Sequence, residues 1–243
     1  MSPYSIDYYR KSADYILEKL PERPQTALVL GSSLGSLGEA IQNPVEVEYK
    51  DIPNFLVSTV ESHAGKFVFG TLAGKYVACM SGRFHYYEGY AFEELAAPMR
   101  VLKLLGVKRT ILTNAAGAVN EDFKVGDIML IRDHIKFASG SPMRGSNIPE
   151  FGPRFFDVTG MYSPALRPSL WPKPKPSASR TECGRVCISI SADPSSKPQR
   201  RSGPPESWAR TRWACPPLPK PLPPLTAVWI SWGFPSLPTW PPA

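Results

Sequence analysis

The sequence predicts an α/β fold, a mixed sheet flanked by helices, on three observations. Short apolar runs feed directly into glycine-rich or polar turns, the pattern of buried strands that deliver functional groups at their C-terminal ends. Helical spacing of apolar residues recurs around those runs, at residues 5–20 and 92–105. The third observation is a break in composition. Residues 1–166 carry 17 Lys and Arg against 18 Asp and Glu, whereas 167–243 carry 11 against 3. The later segment also holds 18 of the 28 prolines and all six tryptophans, while all ten tyrosines and all three histidines precede it. One folded domain does not normally partition its residue types so sharply. The expected organisation is a folded part over 1–166 and an atypical, unstructured C-terminal third over 167–243.

The net charge of +7 therefore belongs to the tail. Its basic residues are scattered and no folded reader accompanies them, so no nucleic-acid partner is expected. Residues 1–20 alternate in charge and lack the apolar core of a secretory signal. No apolar run approaches the ~20 residues of a spanning helix, so no membrane role is expected. Cys79 sits in an apolar strand and reads as core. Cys183 and Cys187 have no His or second Cys pair to complete a zinc site. A reducing cytoplasm fits this cysteine usage, and no metal is indicated.

Taken in order, residues 5–20 place Ile6, Tyr9, Ala13, Ile16, Leu17 and Leu20 at helical spacing, and Pro21 and Pro24 stop the helix. The continuously apolar run Thr26–Leu30 is a buried strand, entering the turn at 31–38. That turn has glycines spaced four and three apart. It matches neither the dinucleotide fingerprint nor the P-loop, which needs a Lys. What it offers is free amides and a hydroxyl, Ser32 or Ser33, suited to a small oxyanion, or simply a tight connection. Residues 45–49 alternate as a strand, and Lys66–Leu72 with 76–80 form a hairpin around Ala73-Gly74-Lys75. The helix at 92–105 closes at Gly106. The run 108–113 is the next strand and enters a second small-residue turn at 114–118, and 125–132 gives one more strand. Residues 142–164 read as loop, with Phe151, Phe155 and Phe156 available to pack or cover something.

Chemistry concentrates at Gly82-Arg83-Phe84-His85-Tyr86-Tyr87-Glu88-Gly89-Tyr90. Arg83 and His85 are two apart, so in extended backbone they point the same way and can reach one ligand. Arg supplies a planar fork for phosphate or carboxylate, and His adds a group that titrates near neutral pH. A surface salt bridge beside a satisfied imidazole is the other reading open here. Four pieces nonetheless point at one oxyanion site: the Ser32 turn, His63, the Arg83–His85 pair and the turn at Ala115.

Leu30-Gly-Ser-Ser-Leu-Gly35, Ser62-His-Ala-Gly-Lys66, the run 82–90, Thr113-Asn-Ala-Ala-Gly117 and Val125-Gly-Asp-Ile-Met-Leu-Ile-Arg-Asp-His134 resemble, in order and spacing, the motifs of the trimeric purine nucleoside phosphorylases. The resemblance covers about residues 1–166. The related methylthioadenosine phosphorylases share the fold, but the 82–90 run is similar to the purine nucleoside branch. The resemblance implies a phosphorylase-like sheet and phosphorolysis of purine nucleosides or deoxynucleosides to free base and the pentose 1-phosphate. It implies that Ser32, Arg83, His85 and the Ala115 amide hold phosphate, with His85 at the reacting centre and His63 binding or gating. Tyr87 would contact ribose, and Phe155 would reach a neighbouring subunit's sugar site. The expected partners are purine nucleoside, phosphate as co-substrate and two further copies in a homotrimer, with no cofactor.

After residue 167 the family pattern ends. The purine-binding Glu, a Met-Ser pair, an Asn for the base and a late His have no counterpart in 168–243. So many prolines leave no continuous helix or central strand. Codon choices permitted by residues 194–203 and 207–217, read one base earlier, can spell segments resembling the missing motifs in the right order. A one-base frameshift near residue 168 accounts for this. The alternatives are a non-catalytic truncated product and a proline-rich interaction protein, whose Pro216 to Pro219 forms a Pro-x-x-Pro beside Lys220.

Overall fold

The computed structural model describes residues 4–31, 34–58, 64–118, 129–131, 133–134, 140–163, 165–166, 213–214 and 226–233. Helix α1 (Ile6–Leu17) starts where the Ser5 hydroxyl accepts from the Tyr8 amide, and it buries Tyr9, Ala13 and Ile16 on one face. Strand β1 (Thr26–Leu30) is buried along almost its whole length. A one-turn helix α2 (Ser36–Glu39) follows, then strands β2 (Gln42–Glu48), β3 (Lys66–Leu72) and β4 (Lys75–Ser81). The β3–β4 turn is tighter than expected. Leu72 pairs with Lys75, leaving only Ala73 and Gly74, both at positive φ, the conformation that a two-residue hairpin demands.

The helix expected over 92–105 is two helices, α3 (Phe92–Leu95) and α4 (Ala97–Leu105). Pro98 is the reason, since it has no N–H to give to the preceding turn. Strand β5 runs Arg109–Ala118, so the small-residue turn expected at 114–118 is strand instead. It is drawn into the sheet by an antiparallel partner, β8 (Thr226–Gly233), which sets Ala115 opposite Ala227. The short strands β6 (Met129–Leu130) and β7 (Trp213–Ala214) complete the set. Most of the 125–132 run lies outside the described residues.

The eight-stranded sheet has the order β2-β3-β4-β1-β5-β8-β6, with β7 pairing to β5. Strands β4, β1 and β5 are parallel, while β2–β3–β4 is an antiparallel meander, giving the mixed α/β sheet expected. The strand β8 departs from the expectation that the proline-rich tail supplies no central strand. Thr226–Gly233 is a proline-free window rich in β-branched and aromatic residues, so both objections to a strand lapse there. The rest of the tail, beyond β7 and β8, lies outside the described residues.

Period-two alternation divides the core. Ala27, Val29, Phe67, Phe69, Ala78 and Met80 face α1 and α4, meeting Tyr9, Ile16, Val101, Leu102 and Leu105. Leu28, Leu30, Val68, Val77 and Cys79 face the other way, against Ile41. Burial raises the Cys79 thiol to about 12, which marks an inert core sulfur. Arg100 on α4 donates to the Tyr9 hydroxyl at 2.6 Å and lies over the Phe151 ring, tying α4, α1 and the 142–164 segment together. Among the described residues, no helix is long and apolar enough to cross a membrane.

Candidate functional site

The strands β1, β4 and β5 run parallel, so their C-terminal ends open on one edge of the sheet. There the register ends at Leu30 against Ser81 and at Val29 against Leu112. Among the described residues two segments leave the sheet there, after β1 and after β4, beside β5, which continues as strand. Gly31 follows β1 and is held against β5: a Cβ on it would stand 2.8 Å from the Thr113 carbonyl, 3.2 Å from Asn114 Cα and 3.3 Å from Arg83 Nη1. Backbone carbonyl and backbone carbon cannot give way, so only glycine fits.

Gly82 leads out of β4 into Arg83. The Tyr49 hydroxyl donates to the Gly82 carbonyl at 2.9 Å from within an aromatic cluster of Phe55, Phe67 and Phe84, and burial holds that phenol well above its usual range. Among the described residues, the Arg83 guanidinium makes two directed bonds. Its Nη1 donates to the Thr113 carbonyl at 2.6 Å, and its Nε donates to His85 Nε2 at 3.1 Å. His85 Nδ1 lies 2.9 Å from Glu88 Oε1, which also accepts the His85 backbone amide at 2.7 Å. With Nε2 accepting from Arg83, this network assigns the imidazole proton to Nδ1, donated to Glu88. The Glu88 side chain is 1% exposed, and its second oxygen accepts from Ser58 at 3.4 Å.

The cluster is thus a buried carboxylate orienting an imidazole, which abuts a guanidinium anchored on β5, on the far side of β1. Tyr87 stacks on His85 with ring centroids 4.7 Å apart and is 56% exposed, so it stands over the site's open side. Tyr90 fixes the next loop: its hydroxyl donates to the Val57 carbonyl and accepts from the Val57 amide at 3.3 Å.

Of the residues expected from sequence, Arg83, His85 and Tyr87 come together. The C-terminal half of β5 lies beside them through Thr113, with Ala115 two residues further along the strand. Ser32 and His63 lie outside the described residues, although Gly31, beside Ser32, and Ser58, five residues before His63, both reach the cluster. Phe155 is not gathered into this cluster; it stands 89% exposed on the 152–158 segment. Two participants were missed from sequence. Glu88 follows His85 by three, the spacing at which a Glu side chain caps a turn, and that pattern was legible. Thr113 had no signal beyond its place at a strand end.

Away from this edge, the Tyr162 hydroxyl lies 2.8 Å from His134 Nδ1, and burial followed by the Asp133 charge raises the phenol to about 12. No group of three or more His, Cys, Asp or Glu among the described residues could hold a metal ion.

Comparison with known proteins gives this arrangement a family context. The phosphorylase superfamily matches residues 25–178. Purine nucleoside phosphorylase 1 of Bacillus subtilis is 51% identical over 160 residues, covering 66% of this chain and 59% of that protein. The bovine (Bos taurus) purine nucleoside phosphorylase is 45% identical over 167 residues, covering 68% and 58% respectively. Among solved structures, isoform 2 of purine nucleoside phosphorylase from Schistosoma mansoni, bound to cytosine and ribose-1-phosphate, superposes with a TM-score of 0.65 at 39% identity. It covers 69% of this chain and 61% of that one. The chain therefore spans about three fifths of the length of the curated relatives it matches.

Proposed function

From a chain that belongs to the phosphorylase superfamily, we propose that residues 1–166 are the phosphate-binding part of a purine nucleoside phosphorylase. The observation that carries this reading is the Arg83–His85–Glu88 cluster seated against Gly31 and Thr113 at the carboxyl edge of the parallel strands. In the reaction, a phosphate oxygen attacks the anomeric carbon as the N-glycosidic bond breaks. The base leaves with the bonding electron pair, and ribose or deoxyribose 1-phosphate forms. The transition state resembles an oxocarbenium ion, so catalysis depends on a correctly placed anion more than on a protein base. Arg83 supplies charge, His85, held by Glu88, orients the guanidinium at the edge of the anion site, and Ser32, His63 and the Ala115 amide complete the anion's shell. Tyr87 faces the sugar. No cofactor is required, phosphate being a co-substrate.

The same reading makes the working assembly a homotrimer in a reducing cytoplasm, with exposed Phe155 reaching a neighbouring copy's sugar site. It also places the domain boundary near residue 166 and takes 167–243 as the product of a one-base frameshift. A second reading has its own support. About three fifths of its relatives' length is matched and the motifs expected for the base are absent from 168–243, so on this reading the chain acts as a non-catalytic phosphate binder.

The deciding experiment measures phosphate-dependent consumption of inosine and guanosine by the 243-residue chain and by a chain whose last third is read in the corrected frame. The expected result is phosphate binding by both and turnover by the corrected chain alone. A corrected chain that binds neither phosphate nor nucleoside would sink the proposal. Capture of the tail by proline-binding domains would instead favour an interaction role.

A further inference from the structure

We propose that Thr113 is a positioning residue for the anion site, its hydroxyl holding β1 and β5 at a fixed fork so that its own carbonyl can anchor Arg83. The inference rests on the phosphate-site reading above and goes beyond it, because Thr113 need not touch the anion.

The argument starts from the ladder. Strands β1 and β5 pair in parallel up to Val29 against Leu112. One more rung in this register would set the Gly31 N–H against the Thr113 carbonyl. The structure substitutes a side chain for that rung. The Gly31 amide donates to Thr113 Oγ1 at 2.8 Å, and the same hydroxyl donates to the Val29 carbonyl at 2.9 Å. Thr113 is 1% exposed, so both bonds are made out of water. A hydroxyl that accepts and donates at once satisfies the Gly31 amide, which the end of the ladder would otherwise strand, and gives the Val29 carbonyl a side-chain donor.

Displacing the carbonyl from the ladder gives it a second use. The Thr113 oxygen accepts Arg83 Nη1 at 2.6 Å. That bond holds the guanidinium from one side, while the Nε bond aims it at His85. One residue thereby joins the turn after β1, the end of β5 and the cation after β4. Valine is nearly the same shape and would keep the packing, but it would lose both bonds of the fork.

A natural control lies on the same strand. Thr110 is equally buried, and its hydroxyl has no hydrogen-bond partner among the described residues. It sits where the ladder is intact, paired with Ala27. Hydroxyl burial is thus not what distinguishes Thr113; its place at the fork is.

The test titrates inorganic phosphate calorimetrically into the full 243-residue chain and its Thr113→Val, Thr113→Ser and Thr110→Val variants, with thermal unfolding of each. Thr113→Val is expected to weaken phosphate about tenfold or more, as loss of a buried hydrogen-bonded junction does. Thr113→Ser retains the hydroxyl and should stay within about threefold, and Thr110→Val should match the unsubstituted chain. A folded Thr113→Val variant that binds phosphate as tightly as the unsubstituted chain overturns the proposal while leaving the phosphate site standing. If the valine variant does not fold, Thr113→Ser decides, and a tenfold loss at unchanged unfolding temperature overturns it. Failure of the unsubstituted chain to bind phosphate overturns the site reading and this inference with it.

Discussion

Arg83 is bonded on two sides, to a backbone carbonyl through Nη1 and to an imidazole through Nε, so its fork is fixed before any ligand arrives. Replacing it by Ala should weaken phosphate about tenfold or more, the usual loss for a charge-assisted contact. Arg83→Lys should recover only part, because one ammonium cannot reproduce both directed bonds. Calorimetric titration with phosphate reads this directly, and unchanged affinity in Arg83→Ala would exclude Arg83 from the site. The buried phenols give a second expectation. Tyr49 and Tyr162 hold their protons more tightly when folded than in the unfolded chain, where the ordinary value is 10.0. Their contribution is therefore full below that value and is lost as pH rises toward 12 and beyond. Denaturation followed from pH 8 upward should show stability falling only above pH of about 10, more gently in Tyr49→Phe. A flat profile to pH of about 12 would contradict it. At this scale the sequence made the Arg83–His85 pair legible, since alternate residues of extended backbone share a direction. It could not mark Thr113, whose role depends on where two strands 82 residues apart stop pairing.

Elements tell a similar story with different exceptions. The β3–β4 hairpin and the apolar strand β1 were readable because turn residues and continuous apolar runs are local signals. The break between α3 and α4 was also local, written in Pro98, but helical periodicity on both sides masked it. Gly70 in β3 records a packing constraint that no local signal carries. A Cβ there would stand 2.6 Å from both the Gln42 carbonyl and Ile41 Cγ2, where β2 bulges between Gln42 and Val45. Gly70→Ala should accordingly cost about 1–3 kcal/mol, the range for overpacking a filled site. Urea denaturation measures the loss, and a neutral effect would mean that the β2 bulge can shift aside. The length of β5 was the least legible feature, because its last residues are small and became strand only by finding a partner in the tail.

For the molecule as a whole, that partner is the feature composition concealed. Averaged over 167–243, proline argues against any strand, yet the eight residues of β8 contain none and lie hydrogen-bonded along β5 from Arg109 to Ala116. A chain ending at residue 211 would leave that edge of β5 unpaired, inviting association through its open backbone groups. Such a chain should unfold at lower temperature and form larger species in sedimentation, and a truncated chain as stable and monodisperse as the full one would show that β8 contributes nothing. The family was legible in the first two thirds because its motifs are strand ends and turns, which are contiguous in sequence. The position of β8 also gives the protein an internal optical reporter. Every tryptophan lies in the tail and every tyrosine before it, with Trp229 and Trp232 on the strand bonded to β5. Indole absorbs to the red of phenol, so red-edge excitation sees only the tail, and phenol excitation transferring to indole reports whether tail and body are joined.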